Sequence, residues 1–195
     1  ECRRKFFGTL YNTYSFFALY ANIDGFTGQE AEVPVAERPE IDRWILSELN
    51  TLIKDVTKYL EDYDPTPAAR CIDQFVNENL SNWYVRLNRK RFWGGELTTD
   101  KLAAYQTLYT CLETVVMLAA PIAPFISDRI FCDLNAVSGR HSEESVHLST
   151  FPKCNEELIN SELEAMMQLA QRASSMVLAL RRKVNIKVRQ PLQKI

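Results

Sequence analysis

Apolar residues recur at spacings of three and four along nearly the whole chain, and this period confines the fold to packed helices. Only six glycines and eight prolines punctuate 195 residues, too few tight turns for a sandwich or barrel. The spacing predicts a helix over residues 3–22, stopped at the Asp24-Gly25 turn, and a second over 40–62 burying Ile45, Leu49, Leu52, Ile53, Val56 and Leu60. Thr66 as N-cap and Pro67 at the first helical position open a third, running to about residue 92 and burying Ile72, Val76, Leu80, Trp83 and Leu87. Gly94-Gly95 ends it, and Thr99 with Asp100 starts a fourth, which Pro121 and Pro124 break or kink; a short continuation runs to about residue 134. Residues 135–153 read as loop, with Ser145–Leu148 extended. A fifth helix over 156–183 is acidic at its start and basic at its end, as the helix dipole favours, and packs Met166, Met167 and Met176. Residues 184–195 alternate weakly, as a short strand or extended tail. The expectation is an all-α bundle of about five main helices, one domain over 1–195, with a short extended C-terminal segment.

The formal charge of −2 conceals an uneven distribution. Residues 84–93 and 181–195 hold four and six Lys/Arg without one Asp or Glu, leaving 13 basic residues against 25 acidic ones elsewhere. Two positive patches therefore sit on an acidic body. Five scattered cysteines (Cys2, Cys71, Cys111, Cys132, Cys154) without a CxxC pair fit a reducing cytoplasm. No signal peptide opens the chain, and the longest apolar run, residues 115–126, is interrupted by two prolines and too short for a bilayer; no membrane association is expected. The chain reads as a piece of a longer polypeptide.

Signals for catalysis are missing. There is no glycine-rich phosphate loop, GxSxG or HExxH. Cys132, His141, His147 and Cys154 can be drawn as a zinc set, but their spacing fits no common pattern, so no metal is expected. The positive signal is LSNWYVRLNRKRFW, residues 80–93. On a helix, Arg86, Arg89, Lys90 and Trp93 fall within one arc, beside the arc of Val76, Leu80, Trp83 and Leu87. Guanidiniums pair with phosphate, and an indole gives an unpaired base a plane to stack on. The alternative is a solvated basic helix end that answers its dipole, with Trp83 and Phe92 in the core; Trp93 is the residue on which the two differ. In the second cluster, Arg181, Arg182 and Lys183 finish a helix, whereas Lys187 and Arg189 have no dipole to answer, which favours RNA or an anionic domain interface.

Asp42–Ser47 (DRWILS) together with residues 80–93 resembles the anticodon-binding domain of class I aminoacyl-tRNA synthetases, most closely the isoleucyl branch. Residues 11–17, 120–125, 145–148 and 186–192 extend the resemblance over the whole chain. DRWILS is shared with valyl and leucyl relatives; WYVR–RKRFW is more specific. The resemblance implies a helix bundle gripping the anticodon stem-loop of isoleucine tRNA. It further implies catalytic and editing domains elsewhere in a parent that uses ATP and Mg, with zinc possible in a C-terminal region. This piece itself is expected to be non-catalytic, without a cofactor, monomeric, and in contact with its own catalytic domain. Arg86, Arg89, Lys90, Arg91 and Trp93 are assigned to one RNA-binding wall, and Arg181, Arg182, Lys187 and Arg189 to another. The rival readings are the same domain of a valyl or leucyl synthetase, or a helical protein-interaction module with basic ends.

Overall fold

The computed structural model describes residues 3–191 and separates into two compact units, Glu1–Ile159 and Asn160–Ile195. The termini beyond that range, with Cys2 and the last four residues of the expected tail, lie outside the described residues.

In the first unit a π turn (Arg3–Phe7) leads into α1 (Gly8–Asp24), which Gly25 closes at φ 69°, a left-handed value that glycine takes without strain. α2 (Glu40–Glu61) starts after Pro39 with Glu40 and Asp42 in its first turn, and its apolar stripe packs against α3 (Pro65–Gln74) and α5 (Thr99–Ala119). The start of α3 differs from the sequence expectation. Asp64 is the N-cap, its carboxylate accepting from the Thr66 N–H, and Pro65 opens the helix, placing Pro67 still within the first turn where no N–H is needed. Thr98, one residue before the expected cap, accepts from the Lys101 N–H and starts α5.

Between α3 and α4 (Arg86–Phe92) the backbone runs as an 11-residue π segment (Phe75–Val85). Its wider turn slips the buried stripe toward the C-terminus relative to an ideal α-helix. Ile72, Val76 and Leu80 are buried as expected. Beyond them the core residues are Tyr84, Val85, Asn88 and Phe92, while Trp83 is half-buried and Leu87 is 57% exposed. The expected core places of Trp83 and Leu87 are thereby corrected.

α5 is the central helix, long and apolar enough to cross a membrane by length and composition, with 72% of its most apolar window buried in the structure. Pro121 and Pro124 separate it from α6 (Pro124–Ser138), which extends past the expected end to Gly139 at φ 60°. Val146–Leu148 is a 3-10 turn capped by the Ser145 hydroxyl rather than an extended stretch.

The second unit consists of α7 (Ser161–Lys183), capped by Asn160, and the segment after it. α7 starts later than expected because Glu156–Leu158 forms a separate 3-10 turn. Its methionines depart from the expected packing: Met166 and Met176 are exposed and Met167 half-buried. Residues 184–191 form turns instead of a strand. Asn185, at φ 54°, reverses the chain, and the Ile186 N–H returns to the Arg181 carbonyl at 2.9 Å.

Candidate nucleic-acid interface

The basic helix end is built from the inside outward. Phe92 is completely buried, edge-on to Phe16 of α1 and Tyr105 of α5, and it fixes the last turn of α4 against both helices. One residue later Trp93 leaves helical geometry (φ −85°, ψ 121°), and Gly94 and Gly95 continue at φ 58° and 76°, a turn open to glycine and strained for other residues. The Lys101 ammonium donates to the Gly94 carbonyl at 3.2 Å and ion-pairs with Asp24 at 2.5 Å. Asp24 also accepts the Tyr105 hydroxyl. Burial alone would raise the Asp24 carboxyl, but the bonds from Lys101 and Tyr105 hold it below its ordinary value. The turn carrying Trp93 is thus anchored by a buried charge, while the indole is 52% exposed.

Arg91 is placed differently from its neighbours. Its guanidinium meets Asp42 of α2 twice, Nη1 to Oδ1 at 2.7 Å and Nη2 to Oδ2 at 2.9 Å, and its Nε donates to Asp100 at 3.0 Å. Asp42 has no exposed surface and also accepts the buried Tyr84 hydroxyl at 2.8 Å. Burial opposes the charged guanidinium, yet the two carboxylates outweigh it and raise the Arg91 pKa. Burial, followed by the Asp42 charge, drives the Tyr84 phenol well above its ordinary value. Arg91 therefore clamps α4 to α2 and α5, and the outward face is left to Arg86, Arg89 and Lys90, all exposed. The sequence reading left Arg91 outside the arc of Arg86, Arg89 and Lys90 yet assigned it to the same RNA-binding wall. The signal for its clamp was Asp42, an acid at an otherwise apolar helix position, together with Asp100 nine residues downstream.

In the second unit the cations again divide. The Arg181 guanidinium gathers the carbonyls of Lys187 at 2.9 Å, Val188 at 3.1 Å and Gln190, and so folds the turn back on the helix end. Arg182, Lys187 and Arg189 are exposed.

Three of the four Cys/His side chains drawn as a zinc set have other partners. His141 Nε2 lies 2.9 Å from Glu113, the Cys132 thiol donates to the Glu144 carbonyl, and the Cys154 thiol to the Asn50 carbonyl. Among the described residues no three His, Cys, Asp or Glu side chains converge as metal ligands.

An exposed triad of cations beside an exposed indole can neutralise phosphates and stack a base, but it offers no general base, nucleophile or leaving-group acid. Comparison with known proteins agrees with a binding role. Residues 42–195 match the family described as the anticodon-binding domain of tRNA ligase. The chain is similar to the isoleucine–tRNA ligases of Bacteroides thetaiotaomicron (72% identity over 193 residues, 99% of this chain and 17% of that protein) and Porphyromonas gingivalis (65% over 192 residues, 98% and 16%). Against that of Clostridium novyi it is 47% identical over 195 residues, 100% of this chain and 19% of that protein. The chain spans about a sixth of the length of the curated relatives it matches.

Proposed function

The chain belongs to the anticodon-binding domain family of tRNA ligases, and from that premise we propose that it grips the anticodon stem-loop of isoleucine tRNA for an isoleucine–tRNA ligase. The parent joins isoleucine to that tRNA with ATP and Mg, as a monomer in the cytoplasm, in catalytic and editing domains outside these residues. The observation that carries this reading is the division of labour at residues 86–93. One guanidinium is spent on fixing the helix, and three exposed cations and an indole remain turned to solvent. A helix end that only answered its dipole would have no use for the rigid placement of Trp93.

Arg86, Arg89 and Lys90 neutralise phosphates of the loop, and Trp93 receives an unstacked anticodon base. Arg182, Lys187 and Arg189 supply further phosphate contacts. Arg91 and Arg181 act as positioning residues, the first for α4 and the second for the turn that bears Lys187 and Arg189. Salt dependence separates the two kinds of arginine. Arg89→Ala should weaken tRNA binding and reduce the slope of log K against log salt by about one counterion. Charge-removing Arg91→Gln should weaken binding while leaving that slope unchanged, since the guanidinium it removes faces Asp42 and Asp100. A slope that falls for Arg91→Gln and not for Arg89→Ala would reverse the assignment.

A further inference from the structure

Lys101 stands in the first turn of α5, where the positive end of the helix dipole disfavours a cation, and its side chain is only 3% exposed. Both placements are unfavourable. The ion pair with Asp24 does little more than offset them, because a buried pair loses to desolvation about what it gains by attraction. Apolar side chains of the same volume would stabilise this point as well. What distinguishes the pair is its reach. Asp24 is the last residue of α1, Lys101 belongs to α5, and the ammonium also donates to the Gly94 carbonyl at 3.2 Å. Three segments of the chain meet at one ammonium, and the residue before Gly94 is Trp93. Trp93 is thereby held on both flanks, by Phe92 locked between Phe16 and Tyr105 on one side and by the tethered Gly94 on the other. Tyr105 serves both supports, since its ring meets Phe92 at 5.0 Å and its hydroxyl donates to Asp24.

We propose that Lys101 is a positioning residue for base capture: through the Gly94 carbonyl it holds the indole of Trp93 where an unstacked base meets it, and it touches no RNA itself. The proposal rests on the reading of this chain as an anticodon-binding domain. Exposed cations such as Arg86, Arg89 and Lys90 attract the phosphates of any RNA strand, so they do not register whether a base is present. The aromatic plane does. A ring fixed before binding loses little freedom when a base stacks on it, whereas a ring on a loose turn would have to be ordered at that moment. The buried pair thus acts on stacking and leaves the phosphate contacts alone.

The test is the double variant Lys101→Met/Asp24→Asn, which removes both charges together, leaves no unpaired buried ion and keeps the net charge of the chain. Binding is read with the anticodon stem-loop RNA of isoleucine tRNA and with the same RNA carrying abasic nucleotides at the anticodon, which retain every phosphate. The parent chain should prefer the intact loop. The double variant should lose about fivefold of that preference, the lower end of what one stacked base is worth, with an unchanged salt slope. Added to Trp93→Ala, it should have no further effect on binding. With fluorotryptophan labelling, the Trp93 fluorine resonance, identified by its absence in Trp93→Phe, should shift or broaden in the double variant without RNA, while those of Trp44 and Trp83 stay in place. If the double variant fails to fold, Gly95→Ala carries the test. Its methyl meets nothing within 4 Å, but the backbone is strained at φ 76°, so it disturbs the same turn without touching the ion pair and should reproduce the loss. An unchanged preference in a folded variant, or a loss that adds to that of Trp93→Ala, would overturn the proposal. A displaced Trp93 resonance in a chain whose parent binds both RNAs equally would support the positioning of the indole and count against the functional reading alone.

Discussion

Trp93 keeps 52% of its surface in solvent although it directly follows Phe92, which has none. The contrast arises because the helix ends between them and the backbone turns outward, held by the bond from Lys101 to the Gly94 carbonyl. Trp93→Ala should therefore cost about 1–3 kcal/mol of tRNA binding, the usual worth of a base-stacking aromatic, with the melting temperature little changed. A collapse of the melting temperature would place the indole in the core. The anchor beneath it has a pH signature. The Asp24 carboxyl is held below its ordinary value in the folded chain, so its contribution is complete above the unfolded pKa of about 4 and is lost as pH falls through the folded one. In chemical denaturation, the stability gap between the parent chain and Asp24→Asn should close as pH drops below about 4. A gap independent of pH would show that the Lys101–Asp24 pair does not carry that stability.

Among the elements, the third helix shows what a sequence can and cannot convey. Its existence, its basic end and its termination at Gly94-Gly95 all follow from spacing and composition. Its buried face does not, because a wheel drawn at 100° per residue has no means of registering the π segment at Phe75–Val85. The slip moves Leu87 into solvent and brings Asn88 and Phe92 inward. Phe92→Ala should then cost about 3–5 kcal/mol of stability, as for other buried aromatics, and Leu87→Ala no more than about 0.5 kcal/mol. The reverse order in thermal or denaturant unfolding would restore the ideal α register. Similar local chemistry explains the smaller differences. Asp64 outcompetes Thr66 as a cap, and Asn185 with Arg181 turns a segment whose alternation pointed to a strand.

For the molecule as a whole, two basic clusters on an acidic chain were visible from residue order alone, and so was the resemblance that gives them an RNA partner. The helical arc singled out Arg86, Arg89 and Lys90, but the clamping roles of Arg91 and Arg181 were not visible, because they depend on the partners that folding brings to them: Asp42 and Asp100 for one, three backbone carbonyls for the other. The exposed cations are divided between the two compact units. Lys187→Ala in the second unit should lower the salt slope by about one counterion, independently of Arg89→Ala in the first. The central claim is that this chain reads an anticodon, and it is tested most directly by titrating the chain with isoleucine tRNA, an anticodon-swapped variant and an unrelated tRNA at two salt concentrations. The account predicts a preference for the native anticodon that persists at the higher salt. Equal and steeply salt-sensitive binding to all three would contradict it, reducing the exposed cations and Trp93 to a general phosphate grip.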